Sequence, residues 1–301
     1  MKLLTYKIEQ KSLLGVLSRD EKWVYPLKSL GMDYKDMQEL IEEISDSEKQ
    51  FIDYMLEKHA DDHYSIPGAA RLEDIKIGPP IDSPRQDVIC LGINYMAHAE
   101  ESARYKHEEF DGKREYPVYF SKRVNKAVAC GEEVPSHQDI TDRLDYEAEL
   151  AIIIGKEASH VSSEEAEEYV FGYTIMNDIS ARDIQNRHKQ WYFGKSLDGS
   201  TPMGPWIVTR ESLEYPPKLD IQSKVNGELR QNSNTGLLIF GIDYVISDLS
   251  RGMTLKPGTI ISLGTPSGVG MGFTPPRFLN EGDEVECIIE GIGDLKNRIG
   301  K

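Results

Sequence analysis

Short apolar runs bounded by glycine and proline recur along the chain after residue 85, and they constrain the fold more than any other feature. The runs are rich in Val, Ile and aromatic residues, which favour the pleated, half-buried surface of a sheet. Runs of roughly four to eight such residues between turn signals are typical of β-strands. We therefore predict strands over residues 88–93, 118–120, 150–154, 171–176, 206–209, 259–263 and 285–289.

Turn and helix signals complete a strand-rich pattern. Asn226-Gly227 lies between two extended segments, and this dipeptide readily adopts the positive φ angles of a type I′ hairpin turn. Helical patterns occur at 180–187 and 242–249, and Ser162 and Glu165 have the spacing of an N-terminal capping box. These signals predict the α+β class, with a β-rich main domain.

Residues 1–80 are predicted to form a small α+β domain of their own. Strand-like pieces are followed by apolar residues at helical spacing, such as Met37, Leu40 and Ile41. The segment ends at Gly78-Pro79-Pro80, where proline favours extended backbone. The main domain is placed at residues 85–301, because the whole chain exceeds the usual single-domain length of about 100–200 residues.

The acidic composition argues against several classes of protein. The chain has 51 Asp and Glu residues against 35 Lys and Arg, a net charge of −16, which repels phosphate backbones and predicts no nucleic-acid partner. Cys90, Cys130 and Cys287 are too far apart in sequence to suggest a disulfide framework or a zinc ribbon. No apolar run approaches the ~20 residues of a membrane span, and the N-terminus is charged too early for a signal peptide. We expect a soluble, cytoplasmic protein without a membrane partner.

An acidic pair begins a predicted buried strand. Residues 145–154 are predicted to form one strand, in which alternate side chains share a face, so Glu147 and Glu149 lie side by side. Two such charges are costly unless a cation neutralises them, and Mg²⁺ or Mn²⁺ prefers carboxylate oxygens. A solvent-exposed edge strand is the alternative explanation for the pair. Asp178, after the strand predicted at 171–176, is either a third ligand or a helix N-cap.

Four motifs follow one another along the chain: Glu147-x-Glu149, Asn177-Asp178-Ile179-Ser180-Ala181-Arg182-Asp183, Gly194-Lys195-Ser196 and Gly264-Thr265-Pro266-x-Gly268-Val269-Gly270. Together they resemble the fumarylacetoacetate hydrolase family over roughly residues 85–299. The resemblance implies a mixed β-roll catalytic domain at 85–301 and Mg²⁺ or Mn²⁺ as cofactor. The metal ligands it implies are Glu147, Glu149 and Asp178. The residues it implies around the substrate are Arg182, Gln185, Lys195 and Thr265.

Two other interpretations of the glycine motifs fail on local sequence. Gly194-Lys195-Ser196 suggests a phosphate-binding loop, but Lys189 stands where such a loop requires glycine. The glycines of 264–272 suggest a dinucleotide-binding loop, but Pro275-Pro276 follows where a helix would have to begin. Lys195 is then better explained as a cation that holds an oxygen gaining negative charge.

Arg182 and Gln185 have a spacing that supports a role in carboxylate binding. Residues three apart share a face of a helix, and arginine with a neighbouring amide can grip a carboxylate. An ordinary surface helix is the alternative. Thr265 would present hydroxyl and backbone donors to the same carboxylate.

His98 and Glu101 are the candidates for acid–base catalysis. The pattern Asn94-Tyr95-x-x-His98-x-x-Glu101 resembles the lid of the oxaloacetate decarboxylase and acylpyruvase branch of the family, and this implies a catalytic dyad. On a helix the spacing brings the two side chains together, so that Glu101 can orient the imidazole. A solvent-facing loop histidine is the alternative. The charged segment 105–115 matches no family motif, and we expect residues 94–116 to form a mobile lid.

The resulting hypothesis is a metal-dependent hydrolase or decarboxylase that cleaves a C–C bond of a small 2-oxo or β-diketo acid through an enolate. Within the family, isomerisation or tautomerisation of a 2-hydroxy-dienedioate is the alternative, because it requires the same enolate but no attacking water. A non-catalytic binding or scaffold protein is a third possibility. The converging like charges argue against it, since a scaffold has no need of them. The resemblance also implies a homodimer.

Overall fold

Strands dominate the structure, a computed structural model that describes residues 1–8 and 11–301. In chain order the elements up to residue 122 are β1 (Lys2–Ile8), β2 (Lys11–Leu17), β3 (Trp23–Pro26), α1 (Met37–Glu43), α2 (Asp46–Lys58), β4 (Ala70–Arg71), β5 (Lys76–Ile77), β6 (Val88–Gly92), α3 (Met96–Lys106) and β7 (Val118–Lys122). The remaining elements are β8 (Glu133–Pro135), β9 (Leu144–Asp145), β10 (Ala148–Ile154), β11 (Val170–Asn177), β12 (Ser180–Ala181), α4 (Arg182–Arg187), α5 (Tyr192–Lys195), β13 (Met203–Thr209), β14 (Asp220–Val225), β15 (Glu228–Asn234), α6 (Ile242–Ser250), β16 (Ile260–Ser262), β17 (Glu284–Ile289) and β18 (Gly293–Gly300). Short 3-10 helices cover Leu27–Leu30, His63–Ser65, Leu72–Asp74, Ala166–Tyr169, Arg210–Ser212, Thr235–Leu237 and Gly270–Gly272.

The strands form one large sheet, one smaller sheet and a two-stranded ladder. The eleven-stranded sheet has the order β4-β3-β2-β1-β13-β11-β10-β16-β6-β7, with β5 also paired to β1. The five-stranded sheet has the order β15-β14-β17-β18-β8, and β9 pairs with β12. The β6–β16 and β8–β18 pairs are parallel, and the other ladders of the described residues are antiparallel. This confirms the predicted strand-rich α+β class.

The large sheet is buried on both faces, which explains the unbroken apolar run of β10. Leu150 and Ile152 point into a core shared with the five-stranded sheet, where they are joined by Ile221. Ala151 and Ile153 point into a second core, which the N-terminal helices α1 and α2 cover. Alternate residues of one strand therefore feed two cores, and every residue of β10 is buried.

The N-terminal segment is joined to the main sheet by backbone pairing. β1 runs antiparallel to β13, with Leu3 opposite Ile207, so strands β1–β5 continue the sheet that carries the site. The predicted domain boundary between residues 80 and 85 stays a prediction. The large sheet contains strands from both sides of this boundary.

The hairpin prediction is confirmed, and two other local predictions are wrong. Asn226 and Gly227 have φ angles of 52° and 79° in the β14–β15 hairpin, as a type I′ turn requires. The single strand predicted at 145–154 is instead broken at residues 146–147, because β9 turns away to pair with β12. The capping-box residues Ser162 and Glu165 do bond to each other, but only a 3-10 helix follows them.

Among the described residues, every helix is too short or too polar to cross a bilayer.

Candidate active site

Three buried carboxylates converge at the end of the central strands. Glu149 lies on β10, Glu147 in the break before it, and Asp178 directly after β11. One oxygen from each lies within 4.8 Å of the others. The pairing of β10 with β11 sets this arrangement, since the backbone N–H of Asp178 donates to the Glu147 carbonyl at 2.9 Å. Asn177 Oδ1 accepts from the Glu147 N–H, also at 2.9 Å, and fixes the break in the strand.

Three buried cations surround two of these carboxylates. Lys195 Nζ lies 2.7 Å from Glu147 Oε2 and 2.6 Å from Asp178 Oδ2. Arg182 Nη1 lies 2.6 Å from Glu147 Oε1. Lys122 Nζ lies 2.8 Å from Asp178 Oδ1. Such pairing offsets the large cost of taking charges out of water.

Glu149 is the carboxylate without a cationic partner among the described residues. Its Oε2 accepts from the Ser262 hydroxyl and from the Gly264 N–H, the latter at 3.1 Å. Burial raises the pKa of Glu149 well above its ordinary value, and the Asp178 and Glu147 carboxylates add to the effect. Among the described residues, Glu149 is therefore the carboxylate of the cluster whose negative charge no neighbouring cation balances.

The pKa of Glu147 is shifted in the opposite direction. Burial by itself would raise its pKa, but the Lys195 ammonium and the Arg182 guanidinium outweigh burial and lower the pKa below its usual range. Burial would likewise lower the pKa of Lys195, yet Asp178 and Glu147 raise it. These two carboxylates therefore favour the ammonium form of Lys195, which can donate hydrogen bonds and balance charge.

The donor set fits a hard divalent cation. The three carboxylates offer oxygen ligands only, which Mg²⁺ and Mn²⁺ prefer. A dication among them would also supply the positive charge that Glu149 lacks. The ligands predicted from the sequence, Glu147, Glu149 and Asp178, are thus brought together as one candidate metal site.

His98 and Glu101 lie over this cluster on helix α3. His98 Nδ1 is 3.0 Å from Glu101 Oε2, and both side chains are buried. Glu101 Oε1 accepts from the Gly268 N–H at 2.9 Å, which ties the helix to the 264–272 loop. A Cβ at Gly272 would lie 1.9 Å from Glu101 Oε1, so this close approach requires glycine. With its Nδ1–H donated to Glu101, His98 has an Nε2 that contacts no hydrogen-bond partner among the described residues. The predicted opening of the lid stays a prediction.

One cavity connects His98 of the dyad, two carboxylates of the acidic cluster and the predicted substrate-binding residues. The predicted residues along its wall are His98, Glu147, Glu149, Arg182, Gln185, Lys195 and Thr265. Arg182 Nη2 is buried without a hydrogen-bond partner in the described part of the chain, so it is a donor available to a ligand. Gln185 Oε1 accepts from Arg182 Nη1 at 3.2 Å, as their shared helix face predicts.

Thr265 differs from its predicted use in one respect. Its hydroxyl donates to the Ala148 carbonyl at 2.9 Å and accepts from Gln231 Nε2 at 2.7 Å. The hydroxyl therefore holds the loop against β10. Thr265 nevertheless lines the cavity, as predicted for a residue near the substrate.

Comparison with known proteins agrees with this geometry. Residues 87–300 match the family described as fumarylacetoacetate (FAA) hydrolase, C-terminal. The chain belongs to the fumarylacetoacetate hydrolase family.

Three relatives show the range of this family. The oxaloacetate tautomerase YisK of Bacillus subtilis (strain 168) is 48% identical over 229 residues, which cover 76% of this chain and 74% of that protein. The fumarylacetoacetate hydrolase of the psychrophilic Exiguobacterium antarcticum is 35% identical, with a TM-score of 0.80 and coverage of 100% and 99%. The maleylpyruvate hydrolase of Sphingobium sp. SYK-6, solved with manganese(II) and pyruvate, is 28% identical, with a TM-score of 0.75 and coverage of 100% and 99%.

Asp145 is a site residue of this family member that sequence reasoning missed. It is fully buried and accepts from Gly270 N–H at 2.6 Å, Met271 N–H at 3.0 Å and Arg182 Nε at 2.8 Å. It therefore positions both the Arg182 guanidinium and the loop at residues 270–271. The signal was present, because Asp145 precedes Glu147 and Glu149 at the same two-residue spacing.

Lys122 and Gln231 were also missed. Lys122 ends β7, and its side chain is fully buried between Asp178 and the Ile179 carbonyl. Gln231 on β15 contacts the Ala148 N–H as well as Thr265 and the Pro266 carbonyl. A lysine and a glutamine at strand positions carry no local signal of burial, so only the packing reveals them.

Proposed function

We propose that this chain is a divalent-metal-dependent enzyme that catalyses keto–enol tautomerisation of a short 2-oxo diacid of the oxaloacetate type. The observation that carries the proposal is the shared cavity, in which the Glu101-bound His98 faces Glu147, Glu149 and Lys195 of the acidic cluster. Abstraction of a proton from the carbon next to a carbonyl group requires a base beside a metal site. The 48% identity to an oxaloacetate tautomerase supports the choice of reaction.

Glu147, Glu149 and Asp178 would hold the metal. When bound, it would act as a Lewis acid that polarises the keto group and favours the negative charge that develops on its oxygen. The remaining steps fall to residues of the chain.

Proton transfer is assigned to His98. Its free Nε2 takes the proton from the carbon next to the keto group, while Glu101 holds the ring and stabilises its charged form. In the reverse direction His98 returns the proton to that carbon. In the forward direction the protonated His98 then gives this proton to the oxygen of the former keto group, so the C–H bond that breaks is replaced by an O–H bond and the substrate neither gains nor loses an atom.

Arg182, Gln185 and Lys195 orient the substrate. The unpartnered Nη2 of Arg182 is the donor for the carboxylate next to the keto group, and Thr265 lines the same cavity. Lys195 Nζ, between Glu147 and Asp178, stabilises negative charge at the metal end. Charge-assisted hydrogen bonds of this kind are about twice as strong as neutral ones.

C–C bond cleavage is the second candidate reaction. A relative at 28% identity is a maleylpyruvate hydrolase, and hydrolysis of an acylpyruvate or decarboxylation of oxaloacetate passes through the same type of enolate. In the hydrolytic reaction, His98 would activate a water molecule instead of accepting a proton from carbon.

A single set of assays distinguishes these reactions. Relaxation of the oxaloacetate enol, followed by ultraviolet absorbance, should be faster with metal-loaded protein than with the metal alone. Pyruvate release measures decarboxylation, and loss of acylpyruvate absorbance measures hydrolysis. The Glu149→Ala variant should lose the activity while keeping its fold by circular dichroism. If wild-type protein with Mg²⁺ or Mn²⁺ accelerates none of these reactions, the enzymatic proposal is wrong.

A further inference from the structure

Helix α3 carries a row of three polar residues along the active-site cavity. His98, Ser102 and Lys106 are spaced four residues apart, and all three line the cavity that holds the acidic cluster. Residues at this spacing lie on one face of a helix, about 6 Å apart along the axis. The lid helix therefore presents the proposed base, a hydroxyl and an ammonium to one ligand space.

An aromatic wall places an ammonium at each end of this space. The rings of Phe120 and Trp191 are 5.2 Å apart in a T-shaped pair. Lys195 Nζ lies 5.2 Å from the Phe120 ring, and Lys106 Nζ lies 5.7 Å from the Trp191 ring. Trp191 packs directly on β6, where a Cβ at Gly92 would lie 2.2 Å from the indole ring. The wall is therefore fixed to the scaffold, with Lys195 at the metal end and Lys106 at the other.

The Lys106 ammonium has no anionic partner in the structure. Across residues 1–8 and 11–301, it forms neither an ion pair nor a side-chain hydrogen bond, although it is half-buried. Arg143 and Lys189 line the adjoining outer cavity, where Glu108 is the one acidic residue among the described residues that line it. In a chain of net charge −16, this local excess of positive charge attracts anions toward the cavity.

We propose that Lys106 is a specificity-determining residue that binds the distal carboxylate of a 2-oxo diacid, with Ser102 as a neighbouring donor. The proposal rests on the proposed function, because it assumes that the 2-oxo end lies at the acidic cluster. Side chains of a helix lean toward its N-terminus, so Lys106 leans back toward Ser102 and the reacting centre. A diacid would span the wall from Lys195 to Lys106, whereas a monoacid would leave Lys106 without a partner.

The test compares a diacid with a monoacid of equal length. The affinities of Mn²⁺-loaded protein for oxaloacetate and 2-oxobutyrate are measured by calorimetry, together with oxalate as a reference for the metal end. Lys106→Met should weaken oxaloacetate binding by about 10- to 100-fold, the range for a charge-assisted hydrogen bond, and change 2-oxobutyrate and oxalate little. The KM for oxaloacetate should rise with kcat nearly unchanged, and Lys106→Arg should restore part of the preference.

Arg104→Met is the matched control. Arg104 is in the same last turn of α3, is exposed and does not line the cavity, so its loss removes the same charge from the same helix end. If Lys106→Met folds poorly, Lys106→Gln replaces it. Equal loss for both acids, no loss, or an equal effect of Arg104→Met overturns the proposal. Failure of the proposed function would appear separately, as a lack of turnover by the wild-type protein. The preference for binding oxaloacetate over 2-oxobutyrate would still decide the role of Lys106.

Discussion

Replacement of Glu149 by Gln should stabilise the metal-free protein at neutral pH. Burial and the neighbouring carboxylates raise the pKa of Glu149 in the fold above its ordinary value of 4.5. The folded state therefore binds this proton more tightly than the unfolded chain does. The contribution of Glu149 to stability is complete below pH 4.5 and falls as pH rises toward the folded pKa. Glutamine has no proton to lose, and its amide oxygen can still accept from Ser262 and Gly264.

The linkage relation limits the size of the effect. Each pH unit between the unfolded and folded pKa costs the wild-type protein about 1.4 kcal/mol. Between pH 5 and pH 7 the advantage of Glu149→Gln should therefore grow by up to about 2.7 kcal/mol. Because the comparison is with wild type at each pH, titration of the other carboxylates largely cancels.

Urea unfolding of both proteins in a chelator, at pH 5 and pH 7, measures this difference. Glu281→Gln serves as control, since Glu281 is exposed and lies outside the acidic cluster. Saturating Mn²⁺ should reverse the order, because binding stabilises the wild-type fold and the variant lacks a ligand charge. A variant advantage that is equal at both pH values, or that is absent in the chelator, would refute the account of Glu149 as the uncompensated charge.

Three further substitutions test the roles assigned to other site residues. His98→Ala should lower turnover by about 10²- to 10⁴-fold, the range for a general base, and calorimetry should show that metal and oxalate binding are retained. Wild-type turnover of this variant on every accepted substrate would remove the dyad from the mechanism. Arg182→Ala should weaken oxalate binding or catalysis by about 1.5–3 kcal/mol, and an oxalate complex in which Arg182 makes no contact would contradict its assignment. Asp145→Asn should reduce oxalate affinity more than Mn²⁺ affinity, because Asp145 holds Arg182 and the 270–271 loop but is not among the proposed ligands. A larger loss of Mn²⁺ affinity than of oxalate affinity would instead make Asp145 part of the metal site.

Patterns within a few residues of one another were predicted well. The strands followed from β-branched runs between glycine and proline, and the hairpin from Asn226-Gly227. The contacts of His98 with Glu101 and of Arg182 with Gln185 followed from a spacing of three residues on a helix. The strand predicted through residues 146–147 was wrong, because a local pattern does not indicate that β9 pairs with β12.

The sequence by itself determined the ingredients of the site: the alternating Glu147 and Glu149, a third carboxylate after a strand, and a histidine with its carboxylate on one helix. Tertiary structure decided how their charges are balanced. The pairing of β10 with β11 brings Asp178 to Glu147. Lys122 on β7 and Lys195 on α5 then form ion pairs with Asp178. These contacts join residues far apart in the chain, and they depend on the order of strands in the sheet, which spacing along a single strand does not encode.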